Sequence, residues 1–185
     1  MHGAWYNEPI LPKEVKINKK STFYTGVYDK MIAVSACLLG ICCRYDGGCA
    51  VNHELKELYA KGLAVPVCPE CEGGLPTPRT PAEIVGGSGE DVLDGNVSVV
   101  TRDGRDVTAE YVLGAERILA KLGELGIDRC VLKSRSPSCG AGTIYDGSFS
   151  GKTVPGNGVA AALLKRNGIR VECADASRDV NTTGV

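Results

Sequence analysis

Three cysteines stand where short apolar runs end. Cys37 follows Met31–Ala36, Cys68 follows Leu63–Val67, and Cys139 lies in the polar stretch after Cys130–Lys133. Thiolates are soft ligands that select zinc, copper(I) or iron–sulfur clusters. A cubane cluster held entirely by protein takes four cysteines, so three would leave one iron open, a Lewis acid able to take a substrate sulfur. Each of two motifs sets a cysteine beside a group that can handle protons: Glu70 in Cys68-Pro69-Glu70, and Ser136 in Ser136-Pro137-Ser138-Cys139-Gly140. Spacing alone also suits Glu70 as a solvated loop acid and Ser136 as a turn-capping hydroxyl.

The chain has nine cysteines, and the odd total argues against complete disulfide pairing. Its N-terminal stretch lacks an apolar signal region, so a cytoplasmic setting is expected. Thiols stay reduced there, and Cys-rich loops read as metal or catalytic sites. Cys68-x-x-Cys71 is half of a zinc site, and Cys42, Cys43 and Cys49 are available as the other half, which keeps a zinc-stabilised binding module open. If Cys71 completed a four-thiolate shell, the protein would instead be an electron carrier or redox sensor. Cys130 and Cys173 read as small buried hydrophobes.

These residues need a scaffold, and the apolar pattern supplies one. Strands are expected at 31–36, 63–67, 130–133 and 169–172, with helices between them. Asn52 is placed to cap a helix bearing Leu55, Leu58 and Tyr59 and stopped by Gly62. Asp106 or Thr108 opens a longer helix with an apolar stripe of Tyr111, Ala115, Ile118, Leu119, Leu122 and Leu125, ended by Gly126. Asn157 is placed to cap the last helix, which carries Val159, Ala162, Leu163 and Leu164. Strands alternating with helices predict an α/β fold, a small mainly parallel, Rossmann-like sheet with helices on both faces. Extra hairpins are expected in loops at Asp103-Gly104 and Asp146-Gly147. In such a sheet the carboxyl ends of the strands share one edge, so Cys37, Cys68 and Cys139 should converge there.

At 185 residues the chain suits one core. Residues 31–173 read as a single α/β iron–sulfur domain, 1–30 as a peripheral extension, and 174–185 as a polar tail that frays. The net charge of -1 and 5% aromatic content give no footprint for nucleic acid. No apolar run reaches membrane-spanning length. Gly-Gly-Ser-Gly at Gly86–Gly89 has no helix signal directly after it, which makes it a poor phosphate cradle. His53 is expected at the surface.

Several ordered motifs together resemble the thiouracil desulfurase family. They are Val34-Ser-Ala-Cys37-Leu-Leu-Gly40 with Cys43-Arg-Tyr-Asp-Gly47, then Cys68-Pro-Glu70 with Gly73-Gly-Leu and Pro78-Arg79, then Lys133-Ser-Arg-Ser-Pro-Ser-Cys139-Gly140. The likeness covers about residues 31 to 172. It implies an enzyme with an oxygen-sensitive [4Fe–4S] cluster on three cysteines, a desulfidase that cleaves the C–S bond of a small thiolated nucleobase such as thiouracil and releases sulfide. By position, Cys37, Cys68 and Cys139 look like the cluster ligands, with Cys43 an alternative for one of them, and Glu70 and Ser136 look like the proton-handling residues. Arg44, Tyr45, Asp46 and Arg79 match the motifs and are expected to hold the loops. Cys71 and Cys42 stand outside the pattern.

Overall fold

The computed structural model describes residues 31–177, so the readings for 1–30 and for the tail beyond Ser177 lie outside the described residues. The core is a four-stranded sheet of β1 (Ile32–Ser35), β2 (Ala64–Val67), β5 (Arg129–Lys133) and β8 (Arg170–Ala174), in the order β2-β1-β5-β8 with every pairing parallel. All four residues of β1 are buried, as a central strand covered on both faces requires. Pro66 falls in β2, an edge strand, where a missing N–H is tolerated.

Helices cover both faces. On one side Ile32, Val34 and Val131 pack with Leu55, Leu58 and Tyr59 of α1 (His53–Ala60). Asn52 caps that helix, its side chain accepting from Leu55 N at 3.2 Å. On the other side Ala33, Cys130 and Leu132 pack with Ile118 and Leu122 of α4 (Thr108–Leu125) and with Ala161 and Leu164 of α5 (Val159–Arg166). Each fully buried large aliphatic side chain contributes about 1.5–3 kcal/mol. Gly126 ends α4 in the left-handed conformation, at φ 63°. One contact brings backbone against backbone. α2 (Pro69–Glu72) lies so near α4 that a Cβ on Gly114 would sit 1.9 Å from the Pro69 carbonyl oxygen.

Two antiparallel pairs decorate this sheet: β3 (Ala82–Ile84) with β4 (Val99–Thr101), and β6 (Thr143–Tyr145) with β7 (Thr153–Pro155). Asp103-Gly104 turns the chain after β4, and Asp146-Gly147 begins the β6–β7 connection. Among the described residues no helix is long and apolar enough to cross a membrane.

Four local readings need correction. A short helix, α3 (Gly89–Leu93), does follow the glycine-rich stretch, started by a capping box of Ser88 and Asp91. The N-cap of α5 is Gly158, because the Asn157 side chain is engaged by Gly142 N, Glu90 and Lys165. Cys130 is buried, but Cys173 is exposed, since β8 is an edge strand with little cover. The polar segment after Glu172 is held as far as Ser177. The β8 pairing runs to Ala174, Asp175 binds Lys133, and Ser177 N donates to Val51 O at 2.9 Å.

Candidate active site at the carboxyl edge of the sheet

The strand order reverses between β1 and β5, and the crevice outside their carboxyl ends is where open parallel sheets bind ligands. A cavity of about 420 Å³ opens there, and Cys37, Cys43, Cys68 and Cys139 all line it. The convergence expected from the strand pattern is thus present, with Cys43 as a fourth thiol.

Each cysteine is positioned by local backbone. Cys37 lies in a 3-10 turn, Ala36–Leu39, that leaves β1 and ends at Gly40, φ 92°. Its carbonyl accepts from Ala50 N at 2.9 Å, which folds the following loop back over it. Cys68 is the extended residue before α2, whose first position is Pro69, a residue suited to a helix start. Cys139 follows a tight turn in which Ser136 Oγ accepts from both Ser138 N and Cys139 N at 3.1 Å. The first amides of α5 reinforce that turn: Val159 N donates to Pro137 O, and Ala160 N and Ala161 N donate to Ser138 O. Ser138 is itself fully buried, and among the described residues its Oγ has no hydrogen-bond partner.

Glu70 and Ser136 meet across the cavity wall, Ser136 Oγ donating to Glu70 Oε1 at 3.4 Å. The turn-capping reading of Ser136 therefore holds together with a place in the cavity. Glu70 is no solvated acid. Its side chain is 14% exposed and pairs with Arg79, which is 7% exposed. Arg79 also donates through Nη1 to Cys43 O at 3.1 Å, to Pro76 O at 3.1 Å and to Thr77 Oγ1 at 3.2 Å. The guanidinium fork joins the Cys43 loop to the Cys68 loop, the loop-holding role that the motif suggested. Arg44 pairs with Asp46 within its own loop, at 3.1 Å.

Four of the thiols stand close together. The neighbouring Cys43 thiol lowers the pKa of Cys37, and the Arg44 and Lys133 charges lower it further, against the cost of burial. Cys43 is pushed up by its Cys37, Cys68 and Cys71 neighbours. Cys71 is lowered by the Cys43 and Cys68 thiols. Burial pushes Cys139 well up. Cys71 is not among the cavity-lining residues, and its Sγ sits 3.6 Å from Thr77 Oγ1. Cys42 and Cys49 are exposed, and among the described residues no group of three or more His, Cys, Asp or Glu side chains is arranged to hold a single metal ion.

Several cavity residues escaped the sequence reading, Tyr111 and Phe149 among them. Tyr111 reads as one member of an apolar helix stripe, yet it lines the cavity, and burial first, with the Glu70 carboxylate, pushes its hydroxyl well up. Phe149 lines the cavity from the β6–β7 connection. The Asp-Gly turn beside Phe149 was the one local signal of its surroundings.

Residues 32–176 match the family model described as 2-thiouracil desulfurase. The chain is 50% identical over 150 residues to the uncharacterized protein YbbK of Bacillus subtilis (strain 168), covering 81% of this chain and 99% of that one. It is also similar to the solved structure of a [4Fe-4S]-dependent thiouracil desulfidase, TudS. The identity is 48% and the TM-score 0.69, with 78% of this chain and 90% of that chain covered.

Proposed function

The chain belongs to the 2-thiouracil desulfurase family, and from that premise we propose that it is a [4Fe–4S]-dependent desulfidase, replacing the sulfur of a thiolated pyrimidine such as thiouracil by oxygen from water. The observation that carries this reading is the single cavity lined by Cys37, Cys68 and Cys139, with Glu70 and Ser136 on its wall. The donor set fits the cofactor, because thiolates from three separate loops are the ligands such clusters take.

Cys37, Cys68 and Cys139 would hold the cluster. When bound, it supplies an iron free of protein sulfur, a Lewis acid toward the thiocarbonyl. Cys71 touches Cys43 and Cys68 but stands outside the cavity lining, and that position favours an open site over a four-thiolate electron carrier. All nine cysteines are free thiols, which suits a reducing cytoplasm.

The protein groups handle the substrate and its protons. Overall C=S and water become C=O and hydrogen sulfide, with no change in electron count. The Ser136 lone pairs hold the Cys139 turn, and its one proton, directed at Glu70 Oε1 over a long 3.4 Å, would turn to the pyrimidine and orient it. Glu70 takes a proton from the attacking water at Oε1, the oxygen that Arg79 leaves unpaired, and returns it to the departing sulfur. Residues 31–173 would act as one functional domain.

Anaerobic reconstitution tests both parts. The protein should take up about four iron and four sulfide per chain, release sulfide from thiouracil, and lose most iron when Cys37, Cys68 or Cys139 is replaced singly by Ala. Full iron retention in one variant removes that residue from the ligand set, and a colourless protein inert toward thiouracil rejects the function.

A further inference from the structure

Among the described residues two that are not glycine adopt a positive φ, Arg135 at 61° and Phe149 at 56°. Side chains with a Cβ resist that conformation, and such strain persists where surrounding structure enforces it, most often at functional sites. Both residues line the thiol cavity.

The enforcement at Phe149 is visible. Its N–H donates to Glu83 Oε2 at 3.0 Å, and Glu83 is 8% exposed, a buried carboxylate in the middle of β3. Two residues earlier, Gly147 lies directly on β3. A Cβ there would sit 2.5 Å from Ile84 O, so the left-handed glycine is required for the close approach. Ser148 N and Oγ both donate to Asp146 Oδ1, which closes the turn. Core packing does not explain this effort, because Phe149 belongs to none of the three hydrophobic clusters. Its ring instead has the Arg102 guanidinium over it, 5.6 Å from the centroid. Arg102 lines the same cavity.

We propose that Phe149 is a specificity-determining residue for the desulfidase reading above, its ring serving as the wall on which a planar pyrimidine stacks. Arg102 covers one face of the ring, and the substrate would stack on the other. Stacking on an aromatic face is indifferent to the pattern of ring substituents but requires a flat, conjugated ring. Phe149 therefore selects for planarity, while Ser136 and Glu70 deal with polar atoms.

Uracil and 5,6-dihydrouracil carry the same ring nitrogens and carbonyls, and only uracil is flat. Calorimetric titration of both into reconstituted protein reads the difference without turnover. Wild type should bind uracil roughly tenfold or more tightly than dihydrouracil. Phe149→Leu, which keeps apolar bulk, should erase that preference at unchanged iron content, and Phe149→Tyr, which keeps the ring, should retain it. Equal binding of the two ligands by wild type, or a preference undiminished in Phe149→Leu, overturns the proposal. Sulfide release from thiouracil, followed in parallel, keeps the premise separate: an inert wild type rejects desulfidation, and the uracil titration still decides the role of Phe149.

Discussion

Arg79 holds the Glu70 carboxylate by one oxygen. Its Nε donates to Oε2 at 2.7 Å and Nη2 reaches the same atom, while Oε1 is left toward Ser136 Oγ at 3.4 Å. The carboxylate is thus fixed in rotamer and open on one side, a geometry that serves proton transfer and leaves little freedom to relax.

Replacing Glu70 by Gln should slow sulfide release by about a hundredfold or more while iron content stays at the wild-type level. Arg79→Met strands the buried carboxylate and should cost about 3–5 kcal/mol in unfolding experiments. Adding Glu70→Gln to that variant should recover part of the loss. Wild-type turnover in Glu70→Gln would make Glu70 a bystander.

Cys71 Sγ donates to Cys43 O at 4.0 Å, lies 3.6 Å from Thr77 Oγ1, and does not line the cavity. Cys71→Ser should therefore keep both iron and sulfide release. An iron analysis showing the cluster lost with Cys71→Ser would mean a closed four-thiolate shell, and the electron-carrier reading would replace the enzyme.

Gly114 in α4 faces the Pro69 carbonyl, and Gly73 in turn faces the Glu110 carbonyl. In an exposed helix Gly→Ala gains about 1 kcal/mol. Here the added methyl would meet backbone at 1.9 Å, so the sign reverses. Gly114→Ala should lower the Tm and, by displacing Pro69 with its neighbours Cys68 and Glu70, reduce iron uptake. A variant as stable as wild type with full iron would show that α2 is free to move.

Asp175 binds Lys133 Nζ at 2.6 Å and also accepts from Ser134 Oγ, and these partners, Lys133 first, hold its carboxyl down to about 2. The ordinary value is about 3.9. A carboxyl depressed on folding adds stability that is complete above its unfolded value and is lost as the pH falls through its folded one. The Tm difference between wild type and Asp175→Asn should accordingly be constant near neutrality and close between about pH 4 and pH 2. A difference that persists unchanged to pH 2 would show that the contact stabilises through packing alone.

The parts of this architecture legible in the sequence are those that repeat a period. The strands ending at Cys37 and Cys68, the stripe of α4 and the stops at Gly62 and Gly126 follow from apolar spacing, and the convergence of three cysteines follows from parallel topology. α2 and β3, at four and three residues, are too short to show a period. α3 hid inside a glycine-rich stretch, although Ser88 and Asp91 three residues on form the capping signature that would have revealed it. At α5, Asn157 has the better capping side chain, but that side chain is held by Gly142 N, Glu90 and Lys165, and the cap falls to Gly158, where a Cβ would meet Ser138 O at 2.5 Å. The Arg79–Glu70 pair and the approach of Cys43 to three other thiols depend on how loops return, which no local pattern encodes. Phe149 is invisible for the same reason, its position being set by Glu83 on a distant strand.

Isotope labelling reads hydrolytic, non-redox removal of sulfur directly. Reconstituted protein turned over with thiouracil in ¹⁸O-enriched water, with no electron donor added, should form uracil carrying one labelled oxygen for each sulfide released. Uracil without label, or sulfide release that depends on an added reductant, would contradict the account.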